Sequence, residues 1–221
     1  MYKNSDLYIL LSESFISEFE KISRLKNLKK IRLISNPITI ANEDFIYNFE
    51  RKEKQIIFVG RLEYTQKRIE RILNVWGKIQ SEYKDWELTI VGDGPDILRL
   101  KNITENKNIQ SVKFVGFQNP KSFYEKASIL LLTSDYEGFP LTITESMNFG
   151  VIPIVYGSYS AAYDIISDNY SGMISKPNNG FDEEDFTNKL KMLLSSVTKR
   201  KDFSLNALNL SLIQISEPTR H

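Results

Sequence analysis

Two glutamates, Glu137 and Glu145, flank the run Gly138-Phe139-Pro140-Leu141-Thr142-Ile143-Thr144. The preceding apolar stretch, Ser128–Thr133, reads as a strand buried on both faces. Glu137 then falls in the loop at the carboxyl end of that strand, and Glu145 about one and a half turns into the helix that follows. Pro140 suits the first helical turn, and Gly150 ends the helix. The amides of Leu141 and Thr142, at a helix start and without carbonyl acceptors, suit phosphate oxygens. A second group repeats this layout. The strand Gln55–Val59 runs into Gly60-Arg61-Leu62-Glu63, with Lys67 six residues beyond Arg61. Arg61 can fork onto phosphate oxygens, while Lys67 supplies a mobile point charge. In open α/β sheets ligands bind just outside the carboxyl ends of the strands. Two cations and two carboxylates at one such edge suit a substrate with an anionic diphosphate and neutral hydroxyls.

Composition removes most competing chemistries. The chain of 221 residues has no cysteine, and its one histidine is the last residue, His221. Disulfides, thiolate or histidine metal sites and histidine-based triads are therefore excluded. Acid–base or electrostatic work falls to Asp, Glu, Lys, Arg or Tyr. A formal net charge of +1 provides no overall field for nucleic acid, and no nucleic-acid partner is expected. The opening MYKNSDLYILLSESF has an apolar run only from Tyr8 to Leu11, too short for a signal peptide or a membrane span. A cytoplasmic setting is expected.

The elements that must position these residues alternate along the chain. Strands are predicted at Leu7–Leu11, Ile31–Ile34, Gln55–Val59, Glu87–Val91, Ser111–Val115, Ser128–Thr133 and Val151–Val155, with helices between them. Ile69, Ile72, Leu73, Trp76 and Ile79 make one helical stripe. Phe186, Leu190, Leu193 and Leu194 make another, with Asp182 placed as its N-cap. Strand and helix in alternation predict a doubly wound α/β sheet. Residues 1–40 read as a strand–helix–strand remnant of a preceding domain, too small to bury a core alone. Residues 41–54 read as a polar linker, and 55–205 as a complete ligand-binding domain. From Ser204 to His221 neither helical nor strand periodicity is evident. LSLIQISEPTRH resembles the translation of a transposon-end adapter used in preparing sequencing libraries, so 210–221 is set aside as an artefact tail.

Taken together, these motifs resemble the retaining glycosyltransferases of the GT-B fold, in the large family four. Glu137 and Glu145, with Gly-Phe-Pro between, resemble its paired-glutamate motif, and Gly60-Arg61-Leu62 with Lys67 resembles its diphosphate-binding element. Ile90-Val91-Gly92-Asp93-Gly94-Pro95 and Val112-Lys113-Phe114-Val115-Gly116-Phe117 are similar to two further segments in the same order. Leu11-Ser12-Glu13-Ser14 and Ser35-Asn36-Pro37 resemble the last elements before the interdomain linker. The resemblance spans about residues 5 to 200. It implies a Rossmann-like lobe holding a nucleotide-diphosphate sugar, with uridine and guanosine both open as the base. Arg61 and Lys67 would hold the diphosphate and stabilise its charge as it leaves. Glu145 would accept from the ribose hydroxyls. Glu137, with the backbone from Gly138 through Phe139 and Pro140 to Leu141, would contact the transferred sugar at its far hydroxyls. Thr142 and Gly60 would complete the donor site, and the stretch near Phe117 would line the base. The implied reaction retains anomeric configuration by front-face attack. No Asp-x-Asp occurs, which agrees with a mechanism needing no metal, and no cofactor is expected. The acceptor, a glycan or lipid-linked, would be met through the family's N-terminal domain, of which only the remnant is expected here. The family's returning C-terminal helix is expected to be missing too, so the chain alone would be inactive. Asp164-Ile165-Ile166 stands where the family often has Glu-Ile-Ile.

Other features invite plainer readings. Gly92-Asp93-Gly94 reads as a strand-capping turn rather than a dinucleotide fingerprint, and Trp76 and Trp86 as packing residues. Arg51-Lys52-Glu53-Lys54 and Lys199-Arg200-Lys201 read as solvated charges, with peripheral contact to anionic lipid as the alternative. Tyr156–Tyr163 fits either a loop near the donor sugar or simple packing. Two other functions compete with this reading. A nucleotide-sugar epimerase on a related fold would need a carboxylate–histidine set for proton transfer, and the chain has no usable histidine. A non-catalytic nucleotide-sugar-binding module is the second alternative: the intact Glu137, Glu145, Arg61 and Lys67 argue against evolved inactivity, while truncation would leave the chain functionally such a module.

Overall fold

The computed structural model describes residues 2–26, 28–34, 36–37, 39–40, 42 and 44–216. Ser35 of the Ser35-Asn36-Pro37 motif and the last five residues of the adapter-like tail lie outside the described residues. The chain opens with strand β1 (Tyr8–Leu10), helix α1 (Ser14–Ser23) and strand β2 (Ile31–Leu33). β1 and β2 pair in parallel, Tyr8 opposite Ile31. Phe19 of α1 covers Tyr8 at 4.8 Å between ring centroids. No residue of α1 is buried, and Leu7 and Ile9 are about half exposed. A two-stranded sheet under one helix has too little apolar area to exclude water from both faces.

The core lies in a second, six-stranded sheet. Its strands are β3 (Gln55–Val59), β4 (Glu87–Val91), β5 (Val112–Gly116), β6 (Ile129–Leu132), β7 (Ile152–Tyr156) and β8 (Met173–Ser175). They run parallel in the order β5-β4-β3-β6-β7-β8. The continuous apolar runs of β3, β4, β6 and β7 are buried on both faces, because helices cover both sides of the sheet. β5 is an edge strand, half-buried and carrying an exposed Lys113, the kind of residue that blocks pairing with another chain. The chain steps outward from β3 to β5 and then returns beside β3 as β6. Two loops therefore diverge at the β3–β6 junction and leave a crevice between them. β8 was missed in the sequence because three residues with two apolar side chains carry no periodicity.

The helices are α2 (Tyr64–Lys67), α3 (Ile69–Ile79), α4 (Ile97–Asn106), α5 (Lys121–Lys126), α6 (Leu141–Met147), α7 (Ala161–Ile165), α8 (Glu183–Ser195) and α9 (Val197–Ser216). Ile69, Ile72, Leu73, Trp76 and Ile79 are all buried along α3, each worth about 1.5–3 kcal/mol of transfer free energy. The Asp182 carboxylate accepts from the Asp185 amide at 2.9 Å and so caps α8. Trp76 is buried with its Nε1 donating to the Gln110 carbonyl at 2.9 Å, and Trp86 is buried under the Arg200 guanidinium.

Three expectations need correction. The stretch from Ser204 is helical through Ser216 and packs on α6, β7 and α8. Its buried face is made of Ser204, Ala207 and Ser211, small residues at i, i+3 and i+7 that a search for large apolar side chains overlooks. Neither basic run is simply solvated. Lys52 donates to the Tyr124 carbonyl at 2.8 Å, and burial pushes its ammonium down to about 7. Arg200 is buried and caps α8 through the Leu193 and Leu194 carbonyls at 2.6 and 2.9 Å. Pro140 sits at the N-cap of α6, one residue before its first turn. The polar segment 41–54 is strapped to the domain at several points. Asn42 donates to Asn148, Phe45 packs on Phe149, and the Tyr47 hydroxyl donates to Ser204 at 2.9 Å. Gly150, at φ +71°, is required there, since a Cβ would meet the Tyr47 ring at 2.6 Å.

Candidate functional site

A cleft of about 870 Å³ opens at the carboxyl ends of β3, β4 and β5. Val59, Gly60 and Arg61 form one wall, Val91 to Gly94 the next, and Phe117, Gln118 and Pro120 the third. Thr142 and Glu145 of α6 close it, with Thr39 and Ile40 arriving from the segment after β2. The glycines let the loops nest. A Cβ on Gly92, at φ +143°, would lie 1.9 Å from the Gly60 carbonyl oxygen, and one on Gly94 would lie 2.3 Å from that of Leu62. Backbone bonds from Gly60 to Val91 at 3.0 Å and from Leu62 to Asp93 at 2.9 Å join the two turns. Gly92-Asp93-Gly94 is thus a strand-capping turn, as its sequence implies, and also a wall of the cleft.

Arg61 is exposed on the wall and has no carboxylate partner among the described residues. Asp93 faces the same space and accepts the Gly94 amide at 2.7 Å. Phe117 stands almost wholly exposed at the cleft, 87% accessible, so none of the described residues holds its ring.

Lys67 and Glu137 are not among the residues of the cleft wall; they form a pair beside it, Nζ to Oε1 at 2.5 Å. The pair bridges the α2 turn to the loop after β6, and both ends are anchored. Glu137 also accepts from Ser134 at 2.7 Å and from Gln66 at 3.3 Å. The Asp135 amide donates to the Gln66 carbonyl at 2.8 Å, and the Thr133 hydroxyl to that of Arg68 at 3.0 Å. Arg68 breaks α2 from α3 with a left-handed φ of +51°, a conformation that costs a non-glycine residue roughly 1–2 kcal/mol. Its guanidinium is held 3.0 Å from Asp135. Arg71 adds bonds to Asp135 at 2.6 Å and to the Thr133 carbonyl at 2.9 Å, while lying over the Tyr156 and Phe181 rings.

Glu145 is 95% removed from solvent yet reaches the cleft, where it accepts from the Thr39 hydroxyl and, at 3.4 Å, from that of Tyr124. Burial and then the Glu145 charge push the Tyr124 phenol up. Burial and then the Glu137 charge push the phenol of Tyr159, in the loop after β7, well up, and its hydroxyl has no hydrogen-bond partner among the described residues. Tyr156 and Tyr159 are both buried, so the packing reading of Tyr156–Tyr163 holds for these two residues.

Of the residues singled out in the sequence, Gly60, Arg61, Phe117, Thr142 and Glu145 share the cleft. Glu137 and Lys67 pair with each other, and Gly138 to Leu141 form the connection between pair and cleft. Gly138 is exposed, Phe139 packs against the core and Pro140 is buried. Thr39, Ile40, Gln118 and Pro120 were missed. They lie on connections without periodicity, and only the strand ends before them signalled a site. Asp164 bonds Ser12 and the Ser14 amide, the latter at 3.0 Å, and so ties α7 to the start of α1.

A parallel sheet flanked by helices, with a cleft at the carboxyl ends of its strands, defines an α/β lobe of the Rossmann kind. The chain belongs to the family of glycosyl transferases group 1, which it matches over residues 39–209. It is 32% identical over 200 residues to GalNAc-alpha-(1->4)-GalNAc-alpha-(1->3)-diNAcBac-PP-undecaprenol alpha-1,4-N-acetyl-D-galactosaminyltransferase of Campylobacter jejuni, covering 88% of this chain and 53% of that protein. It is 29% identical over 154 residues to lipopolysaccharide 1,6-galactosyltransferase of Escherichia coli, covering 66% of this chain and 42% of that protein. The chain spans about half the length of the curated relatives it matches. Its fold is that of GT-B glycosyltransferases. A mutant of S. aureus TarM, solved with Fondaparinux, alpha-GlcNAc-glycerol and UDP, superposes with a TM-score of 0.82 at 21% identity, covering 99% of this chain and 42% of that one. Anabaena Alr3699/HepE, solved with UDP and glucose, gives 0.81 at 14% identity, covering 97% and 60%. Among the described residues no helix is long and apolar enough to cross a membrane.

Proposed function

We propose that this chain is the donor-binding half of a retaining glycosyltransferase, and that its cleft takes the nucleoside diphosphate of an activated sugar. The observation that carries this reading is the meeting of Arg61, Thr142 and Glu145 in one cleft at the switch point, with the Lys67–Glu137 pair alongside. Arg61 offers five fixed donors to phosphate oxygens, and Glu145 offers carboxylate lone pairs to ribose hydroxyls. Phe117 and Gln118, which also line the cleft, are assigned to the base. Uridine is favoured, because relatives of this fold were solved with UDP.

In the proposed reaction the bond from the anomeric carbon to the diphosphate oxygen breaks as an acceptor hydroxyl attacks from the same face. The acceptor's proton passes to the departing phosphate oxygen. Arg61 and Lys67 stabilise the charge that develops there, and Glu137 holds the transferred sugar by its hydroxyls. No resident metal or cofactor is assigned, in keeping with the lack of cysteine, of an Asp-x-Asp run and of any histidine but His221. Residues 1–40 are assigned to the acceptor lobe and 55–205 to the donor lobe. The acceptor is assigned as a glycan or lipid-linked glycan, by analogy with the undecaprenol-linked glycan and the lipopolysaccharide in the names of two relatives, and a cytoplasmic or peripheral membrane setting is proposed with it.

The test is calorimetric titration of the full chain with UDP and GDP in the presence of EDTA, beside Arg61→Ala. Saturable UDP binding that Arg61→Ala weakens about tenfold or more, and that fades with added salt, is the expected result. A folded chain that binds neither nucleotide would overturn the reading.

A further inference from the structure

Glu145 has no cationic partner among the described residues, although it is almost fully buried. A carboxylate in that position is held by neutral donors or not at all. Here each oxygen has one. Thr39 donates to Oε1 from the segment after β2, and Tyr124 donates to Oε2 at 3.4 Å from the middle of α5. Tyr124 is itself immobile: it is completely buried, its ring stacks on Phe149 with centroids 6.0 Å apart, and its carbonyl receives Lys52.

We infer that Tyr124 and Thr39 are positioning residues that fix the plane of the Glu145 carboxylate, so that its two oxygens present free lone pairs to a vicinal diol. The inference rests on the reading of Glu145 as the ribose contact. The terminal torsion of a glutamate is broad and roughly two-fold, so position along α6 alone does not orient the carboxylate. An ionised carboxylate has about four acceptor sites, and two protein donors leave about one on each oxygen. Neutral donors suit this task better than a cation would. An arginine or lysine would engage the lone pairs more strongly and compete with neutral hydroxyls. Thr39 also explains why the cleft includes the segment that precedes the linker: the diol contact is completed from there.

The experiment titrates the full chain with UDP and with 2′,3′-dideoxy-UDP, whose ribose lacks both hydroxyls. Wild type is compared with Glu145→Ala, Tyr124→Phe, Thr39→Val and Thr39→Ser, each checked for folding by circular dichroism. Glu145→Ala is expected to lose about tenfold in UDP affinity and nothing for the dideoxy nucleotide. Tyr124→Phe and Thr39→Val are expected to lose about three- to tenfold for UDP alone, and Thr39→Ser to bind as wild type does. A merely structural role would lower both affinities by one factor. If Glu145→Ala discriminates between the nucleotides while Tyr124→Phe and Thr39→Val do not, positioning is overturned and the ribose contact stands. If Glu145→Ala does not discriminate, the ribose contact fails and positioning fails with it.

Discussion

Lys67 Nζ lies 2.5 Å from Glu137 Oε1, with 16% and 8% of the two side chains exposed. The pair crosses the point where the strand order reverses, so it joins the two halves of the sheet as well as two candidate site residues. Removing one partner leaves the other charge nearly buried and uncompensated. Lys67→Met is expected to destabilise the chain by about 2–3 kcal/mol, less than a wholly buried pair would lose, because Ser134 and Gln66 still donate to Glu137. Adding Glu137→Gln should recover about half of that loss. Urea unfolding of the two single variants and the double variant measures the coupling.

The nesting of Gly92 under Gly60 makes a sharper demand. Gly92→Ala would place a methyl group inside the Gly60 carbonyl contact, on a backbone at φ +143°. The Val91–Gly94 wall must then move. A loss of about 3 kcal/mol or more is expected, together with loss of nucleotide binding. Gly138→Ala is the control, because no described residue lies within 4 Å of its added Cβ. It should cost less than about 0.5 kcal/mol. Thermal melts of the two variants separate these outcomes.

Lys52 gives the stability of the chain a dependence on pH. Burial lowers its folded-state pKa to about 7 from 10.5. Between those values the unfolded chain binds the proton and the folded chain releases it, so stability rises with pH across that window. Below about 7 both states are protonated and the full cost of burying the charge remains. The wild-type melting temperature should therefore climb from pH 7 to pH 9, and the slope should flatten in Lys52→Met. Parallel slopes would show that Lys52 is protonated throughout.

Asp135 holds Arg68 at 3.0 Å and Arg71 at 2.6 Å, and it stands two residues before Glu137. Asp135→Ala should cost about 1–2 kcal/mol, discounted because the Asp135 side chain is 35% exposed. The loop that carries Glu137 should also open. Faster amide exchange at Tyr136 and Glu137, with β3 unaffected, is the expected signature in hydrogen-exchange measurements.

The sequence by itself determined the parallel α/β sheet and the edge where its charged residues gather. Continuous apolar runs such as Ile56–Val59 and Ile129–Leu132 can be satisfied only between two helical layers, and that requirement is local enough to read. The five-residue stripe of α3 and the Asp182 cap were legible for the same reason. What only the tertiary structure decided depends on partners beyond the reach of a helix or strand repeat. Small residues on α9 form a buried face because α6 and Gly150 come close to them. Lys52 and Arg200 turn inward because carbonyls 72 and 6 to 7 residues away are left for them to cap. Lys67 meets Glu137 across 70 residues of sequence, and Thr39 meets Glu145 across 106. Residue type and spacing announce that charges will gather at a sheet edge. Which of them pair with each other, and which stay open to a ligand, is set by how the loops nest once the sheet has formed.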